Sequence, residues 1–94
     1  ITPLGLEYQD ISNALVLFPN PNQGKLNLYL ENSAIGEAQV RVLDFTGKTV
    51  MQTVLTKKGQ VLEHQLSMEQ LSGGLYMVEV ILDKQRAVKR VLKE

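Results

Sequence analysis

The chain has 94 residues, of which 44% are hydrophobic and 21% charged, with ten Lys and Arg against ten Asp and Glu. That length supports one domain around one modest core. A formal charge of zero argues against a general binder of nucleic acid or membrane surfaces, which needs an excess of cations, and the absence of cysteine removes disulfides, thiolate nucleophiles and thiolate metal sites.

Residues 1–12 carry Pro3 and Gly5 and end in polar residues, and read as a linker or a loosely paired lead-in. Ala14 to Phe18 is an apolar run that stops at Pro19. Phe18-Pro19-Asn20-Pro21-Asn22-Gln23-Gly24 is a stiff turn: each proline pins φ and removes a backbone donor, and Asn20 is pushed toward extended geometry by Pro21. Two prolines also keep this segment from pairing as a strand at a sheet edge.

Lys25 to Glu31 alternates, with Leu26, Leu28 and Leu30 on one face and Lys25, Asn27, Tyr29 and Glu31 on the other. After a loop, Glu37 to Phe45 places Ala38, Val40 and Val42 inward. Thr46-Gly47 turns the chain, Gly47 supplying φ > 0, so that Lys48 to Leu55 returns antiparallel. Lys57-Lys58-Gly59 forms another turn before a strand over Val61 to Leu66.

Ser67-Met68-Glu69-Gln70 matches a capping box and predicts one short helical turn, ended by Gly73-Gly74. Leu75 to Leu82 contains Glu79 as its only charge and reads as a central strand covered on both faces. Asp83-Lys84-Gln85 is a tight turn, and Arg86 to Lys93 is the last strand. Seven strands at this spacing predict an all-β fold, a seven-stranded antiparallel β-sandwich of immunoglobulin-like type occupying residues 13–94.

The chemistry of catalysis is absent from this pattern. His64, the only histidine, shares a face with Leu62 and Leu66 and reads as a half-buried sheet residue. No Gly-x-Ser-x-Gly elbow, phosphate loop, dinucleotide fingerprint or dense calcium-loop spacing occurs. The ten acids are scattered, which disfavours a paired-carboxylate mechanism, and the five aromatics are too dispersed for a stacking platform. The expectation is a non-enzyme with no cofactor and no metal.

No apolar run approaches the roughly 18 residues of a membrane-spanning helix, so no direct membrane insertion is expected. The chain starts at Ile1 rather than Met and shows no signal peptide, and is read as a piece of a larger protein. From Asp83 to Glu94 five cations face two anions, a local charge of +3.

Four stretches in order carry a family resemblance: Phe18-Pro19-Asn20-Pro21 with Gly24; Val42-Leu43-Asp44-Phe45-Thr46-Gly47-Lys48-Thr49-Val50; Leu66 to Val78 with Leu71, Gly74 and Tyr76; and Val88-Lys89-Arg90-Val91-Leu92-Lys93. Over residues 13–94 the chain resembles the C-terminal sorting domains of the type IX secretion system of Bacteroidota. One departure is Glu94, where the family usually ends on Lys or Arg.

The resemblance implies a folded address at the end of an exported cargo protein. Its implied partners are the outer-membrane secretion machinery, a sortase-like surface protease that removes the domain, and the N-terminal cargo of the same precursor. The implied route runs through the periplasm to the cell surface or the medium. It also implies a recognition turn at Pro19, Asn20, Pro21 and Gly24, a structural hallmark at Gly47, Gly74 and Tyr76, and a basic signal at Lys89, Arg90 and Lys93. Cleavage would fall within or before residues 1–12. Physically, Lys89, Arg90 and Lys93 would stay solvated on an edge strand and offer cations to an acidic groove. The competing reading is an immunoglobulin- or fibronectin-like accessory module that binds carbohydrate or spaces domains.

Overall fold

The computed structural model describes residues 8–94, and the expected linker at 1–7 lies outside the described residues. Among the described residues eight strands form: β1 (Gln9–Asp10), β2 (Leu15–Phe18), β3 (Lys25–Glu31), β4 (Gly36–Asp44), β5 (Thr49–Lys57), β6 (Val61–Ser67), β7 (Gly74–Leu82) and β8 (Gln85–Lys93), with one 3₁₀ turn at Ser12–Ala14. They build two open sheets, in the orders β1-β8-β7-β4-β5 and β2-β3-β6. The all-β architecture with two sheets follows the sequence pattern. β1, a two-residue strand, was not expected and runs parallel to β8 with Gln9 opposite Gln85, so the expectation of a wholly antiparallel fold is corrected.

The core lies between the sheets. Leu26, Leu28 and Leu30 of β3 meet Ala38, Val40 and Val42 of β4 and Tyr76, Val78, Val80 and Leu82 of β7. Period-two alternation puts every second residue of these strands on one face, and burial of each such Leu or Val stabilises the fold by about 1.5–3 kcal/mol. Asp83 takes φ 54° in the turn between β7 and β8, a conformation that a short side chain such as Asp tolerates.

Four further expectations are corrected. Ser67–Gln70 forms no helix: the Met68 N–H donates to Gly24 O (2.5 Å), so β6 is tied to the turn before β3, and only a single Leu71 N–H to Met68 O bond (3.0 Å) closes a turn. β7 is central, but among the described residues its outward face is covered only in part: Glu79 is buried there while Leu75 and Met77 are exposed. Lys57 does not sit in the turn with Lys58 and Gly59; it ends β5 and is 1% exposed. His64 is exposed, because β6 is an edge strand and leaves its middle uncovered.

Candidate recognition site

The proline turn packs against the strand that ends the sequence. Both Phe18-Pro19 and Asn20-Pro21 bonds are cis. Asn20 then presents its side-chain amide to the free edge of β8: Nδ2 donates to Arg90 O (3.2 Å) and Oδ1 accepts from Leu92 N–H (2.9 Å). One side-chain amide thus supplies the donor and acceptor that a neighbouring strand would supply.

Asn22 continues the contact from a buried position, 1% exposed. Its backbone N–H and its Nδ2 both donate to Leu92 O (2.9 and 3.3 Å), and its carbonyl accepts from Glu94 N–H (2.8 Å). Its Oδ1 accepts from Gly24 N–H (2.9 Å), an Asx-type closure of the turn. Further along the same edge, Ser12 Oγ accepts from Val88 N–H (3.0 Å) and Ile11 N–H donates to Arg86 O (2.9 Å). The outer edge of β8 is therefore covered in steps by residues 9–12 and by the turn. The prolines keep the turn from becoming a strand, yet the asparagines between and after them engage the edge all the same.

Gly24 has φ +131°, and a Cβ there would stand 2.7 Å from Glu69 Cγ and 3.3 Å from Glu69 Cα. A side chain at this position would therefore meet both backbone strain and collision. Pro19, Pro21, Gln23, Lys25, Glu69 and Glu94 line an open groove beside the turn. Three segments far apart in the chain thus share one concave surface.

The basic residues differ in their exposure. Arg90 is exposed on the outward face of β8, whereas Lys89 and Lys93 are half-buried on the inward side with Ala87 and Val91. Lys93 Nζ donates to Leu71 O (2.7 Å), so this cation also anchors the turn after β6. The physical expectation that all three are free on a bare edge is corrected: alternation along β8 sends Lys89 and Lys93 one way and Arg90 the other.

Gly47 and Tyr76 act as structural devices. Gly47 has φ +90° in the β4–β5 turn, and its N–H donates to Asp44 O (2.9 Å). The Asp44 carboxylate accepts from the Thr46 hydroxyl (2.5 Å) and from the backbone N–H of Thr46 and Lys48, which holds its pKa below the ordinary value. Tyr76 is buried in the core with its hydroxyl donating to Ser72 O (2.6 Å), across the Gly73-Gly74 bend.

Two features of the fold carry no signal in local sequence. Lys57 Nζ donates to Asn32 O, Ala34 O and Gly59 O (2.6, 2.6 and 2.5 Å), so three carbonyls satisfy the three ammonium donors. Glu79, buried on the outer face of β7, bridges Arg41 (Nη2, 2.5 Å) and Arg86 (Nε, 2.6 Å). Burial pushes its carboxyl up, but the hydrogen bonds and charges of Arg86 and Arg41 outweigh this and hold its pKa below the ordinary value. Asn22 is the member of the site that sequence reasoning missed; its place directly after Pro21 is the only local signal pointing to it.

A family model described as "Secretion system C-terminal sorting domain" matches residues 16–94. No curated protein matches the chain.

Proposed function

From the premise that the chain belongs to the type IX secretion C-terminal sorting domains, we propose that it acts as a non-catalytic address whose readable surface joins the proline turn to β8. Membership makes the domain a sorting signal, attached to an N-terminal cargo and engaging the secretion machinery that delivers it to the surface or extracellular space. The observation that carries the finer reading is the double contact of Asn20 and Asn22 with the outer edge of β8. It makes the exposed Pro19, Asn20 and Pro21 one continuous surface with the segment that holds Lys89, Arg90 and Lys93, while Gly24, itself buried, shapes the turn.

In this reading the domain folds in the periplasm during transit, is recognised there, and is removed at the surface by a sortase-like protease. Residues 9–12 are held along β8, which disfavours cleavage within that segment, since a protease cleft takes an extended, unpaired chain. The sheet orders are compatible with an immunoglobulin-like sandwich: β2, β3 and β6 take the places of strands A, B and E, and β8, β7 and β4 those of G, F and C, with β5 joining the second sheet.

The test is a reporter that carries an export signal and residues 1–94, expressed in a host with type IX machinery. The expected outcome is surface delivery, with intact mass showing loss of most or all of residues 13–94. A reporter left in the periplasm overturns the sorting reading; one delivered with the domain still attached overturns the cleavage reading.

A further inference from the structure

β7 has the composition of a strand covered on both faces, yet among the described residues its outward face is left open at Leu75 and Met77. Leu75 (46% exposed) and Met77 (38%) point outward, and β8 sets Leu92 (41%) directly opposite Leu75 and Arg90 directly opposite Met77. Leu43 of β4 lies opposite Met77 on its other side. Four apolar side chains from three adjacent strands therefore form one patch on the outer face of the larger sheet, at the end where the proline turn holds Leu92.

The unpaired charge at this patch is positive. Glu79 engages both Arg41 and Arg86, and Asp10 stands opposite Arg86, which leaves that group neutral, whereas Arg90 makes no ion pair among the described residues. From this combination we infer that the outer face formed by Leu43, Leu75, Met77, Arg90 and Leu92 is a docking surface for an acidic, apolar surface of a protein in the secretion apparatus. The inference rests on the sorting reading and names the partner chemistry of that same domain.

Charge selects this occupant. Apolar contacts across a flat sheet face supply affinity, while an unpaired guanidinium at the patch contributes to orientation and choice of partner through a carboxylate opposite. A second copy paired about a two-fold axis would bring the same cationic patch, with its Arg90, against itself. A membrane surface is a weak match, because each nearby cation contributes only about 1 kcal/mol to adhesion on anionic lipid and this face offers few.

The experiment uses the reporter fused to residues 1–94 in the type IX host, comparing wild type with Arg90→Glu, Leu92→Asp and a Val16→Asp control on the outer face of the smaller sheet. Each purified domain is first checked by circular dichroism and thermal midpoint. Arg90→Glu is expected to reduce surface delivery at least about ten-fold, the equivalent of 1.4 kcal/mol, with the wild-type fold retained and Val16→Asp delivered normally. If Leu92→Asp fails to fold, Arg90→Glu and Arg90→Gln alone decide, since position 90 is exposed.

Full delivery of the folded Arg90 variants overturns the docking proposal while leaving the sorting reading intact. Failure of the wild-type fusion overturns both. Equal loss in Val16→Asp removes the assignment to this face. Arg90-dependent sedimentation with phosphatidylglycerol vesicles, or a dimer in ultracentrifugation that Leu92→Asp abolishes, replaces the protein partner with lipid or with a second copy.

Discussion

Asn22 and Leu92, 70 residues apart, share one carbonyl: the backbone N–H and the side-chain Nδ2 of Asn22 both donate to Leu92 O, at 2.9 and 3.3 Å. This contact joins the first landmark of the sequence to the last and makes the terminal strand part of the folded body. Its loss has a definite cost. Asn22→Ala removes the Nδ2 bond and leaves the Gly24 N–H without its acceptor. We expect a loss of about 2 kcal/mol in urea denaturation, with faster amide exchange at Glu94. Asn20→Ala, on the exposed part of the same clasp, is expected to change global stability by less than about 1 kcal/mol while still accelerating exchange at Leu92.

Gly24→Ala tests the approach between the proline turn and the end of β6. The new Cβ meets Glu69 Cγ at 2.7 Å and takes φ +131°, so about 1–3 kcal/mol of destabilisation is expected. Adding Glu69→Ala removes Cγ and should restore part of that loss, leaving the backbone strain. No recovery in the double variant would show that the collision plays no part.

Lys57→Met leaves three carbonyls without their donor at a site 1% exposed. A loss of about 2–4 kcal/mol is expected from calorimetry or urea titration. Lys57→Arg should recover only part of it, because a planar guanidinium cannot present three donors to a cage shaped for a tetrahedral ammonium.

Glu79 predicts a sign for the pH dependence. Its folded pKa lies below its ordinary value despite the opposing effect of burial, so it contributes stability that is present above the unfolded carboxylate pKa. That contribution is lost as pH falls through the lower, folded value. Asp44 and Asp10, held down chiefly by hydrogen bonds from Thr46 and Ser12, act in the same direction. Urea midpoints should therefore fall on acidification below the ordinary carboxylate range, and Glu79→Gln should flatten that fall. An unchanged acid limb in Glu79→Gln would assign the dependence to other groups.

Much of the fold is legible in local pattern. The alternation of Leu26, Leu28 and Leu30 fixes both the strand β3 and the face it buries, and the same holds for Ala38, Val40 and Val42. Pattern failed where a local rule competed with a distant partner. The Ser67–Gln70 capping signal lost to the Met68 N–H bond with Gly24 O, and Lys57, placed in a turn by its neighbours, is drawn inward by carbonyls 23 and 25 residues earlier. At the candidate site, the stiffness of Pro19, Asn20 and Pro21 and the freedom of Gly24 are legible in residue type, and their recognition role is what the family resemblance implies, whereas the contact that Asn22 makes depends on Leu92.

The sequence by itself determined where the longer strands lie, which face β3 and β4 bury, where Pro and Gly turn the chain and which family it resembles, because these depend on period-two alternation and on the backbone limits of Pro and Gly over a few residues. Only the tertiary structure decided that the proline turn would cover the edge of β8, that Lys93 would reach the Leu71 carbonyl, and that Leu75, Met77 and Leu92 would remain exposed. Those outcomes depend on the sheet orders β1-β8-β7-β4-β5 and β2-β3-β6, which bring together backbone groups too far apart in the chain for any short-range pattern to record.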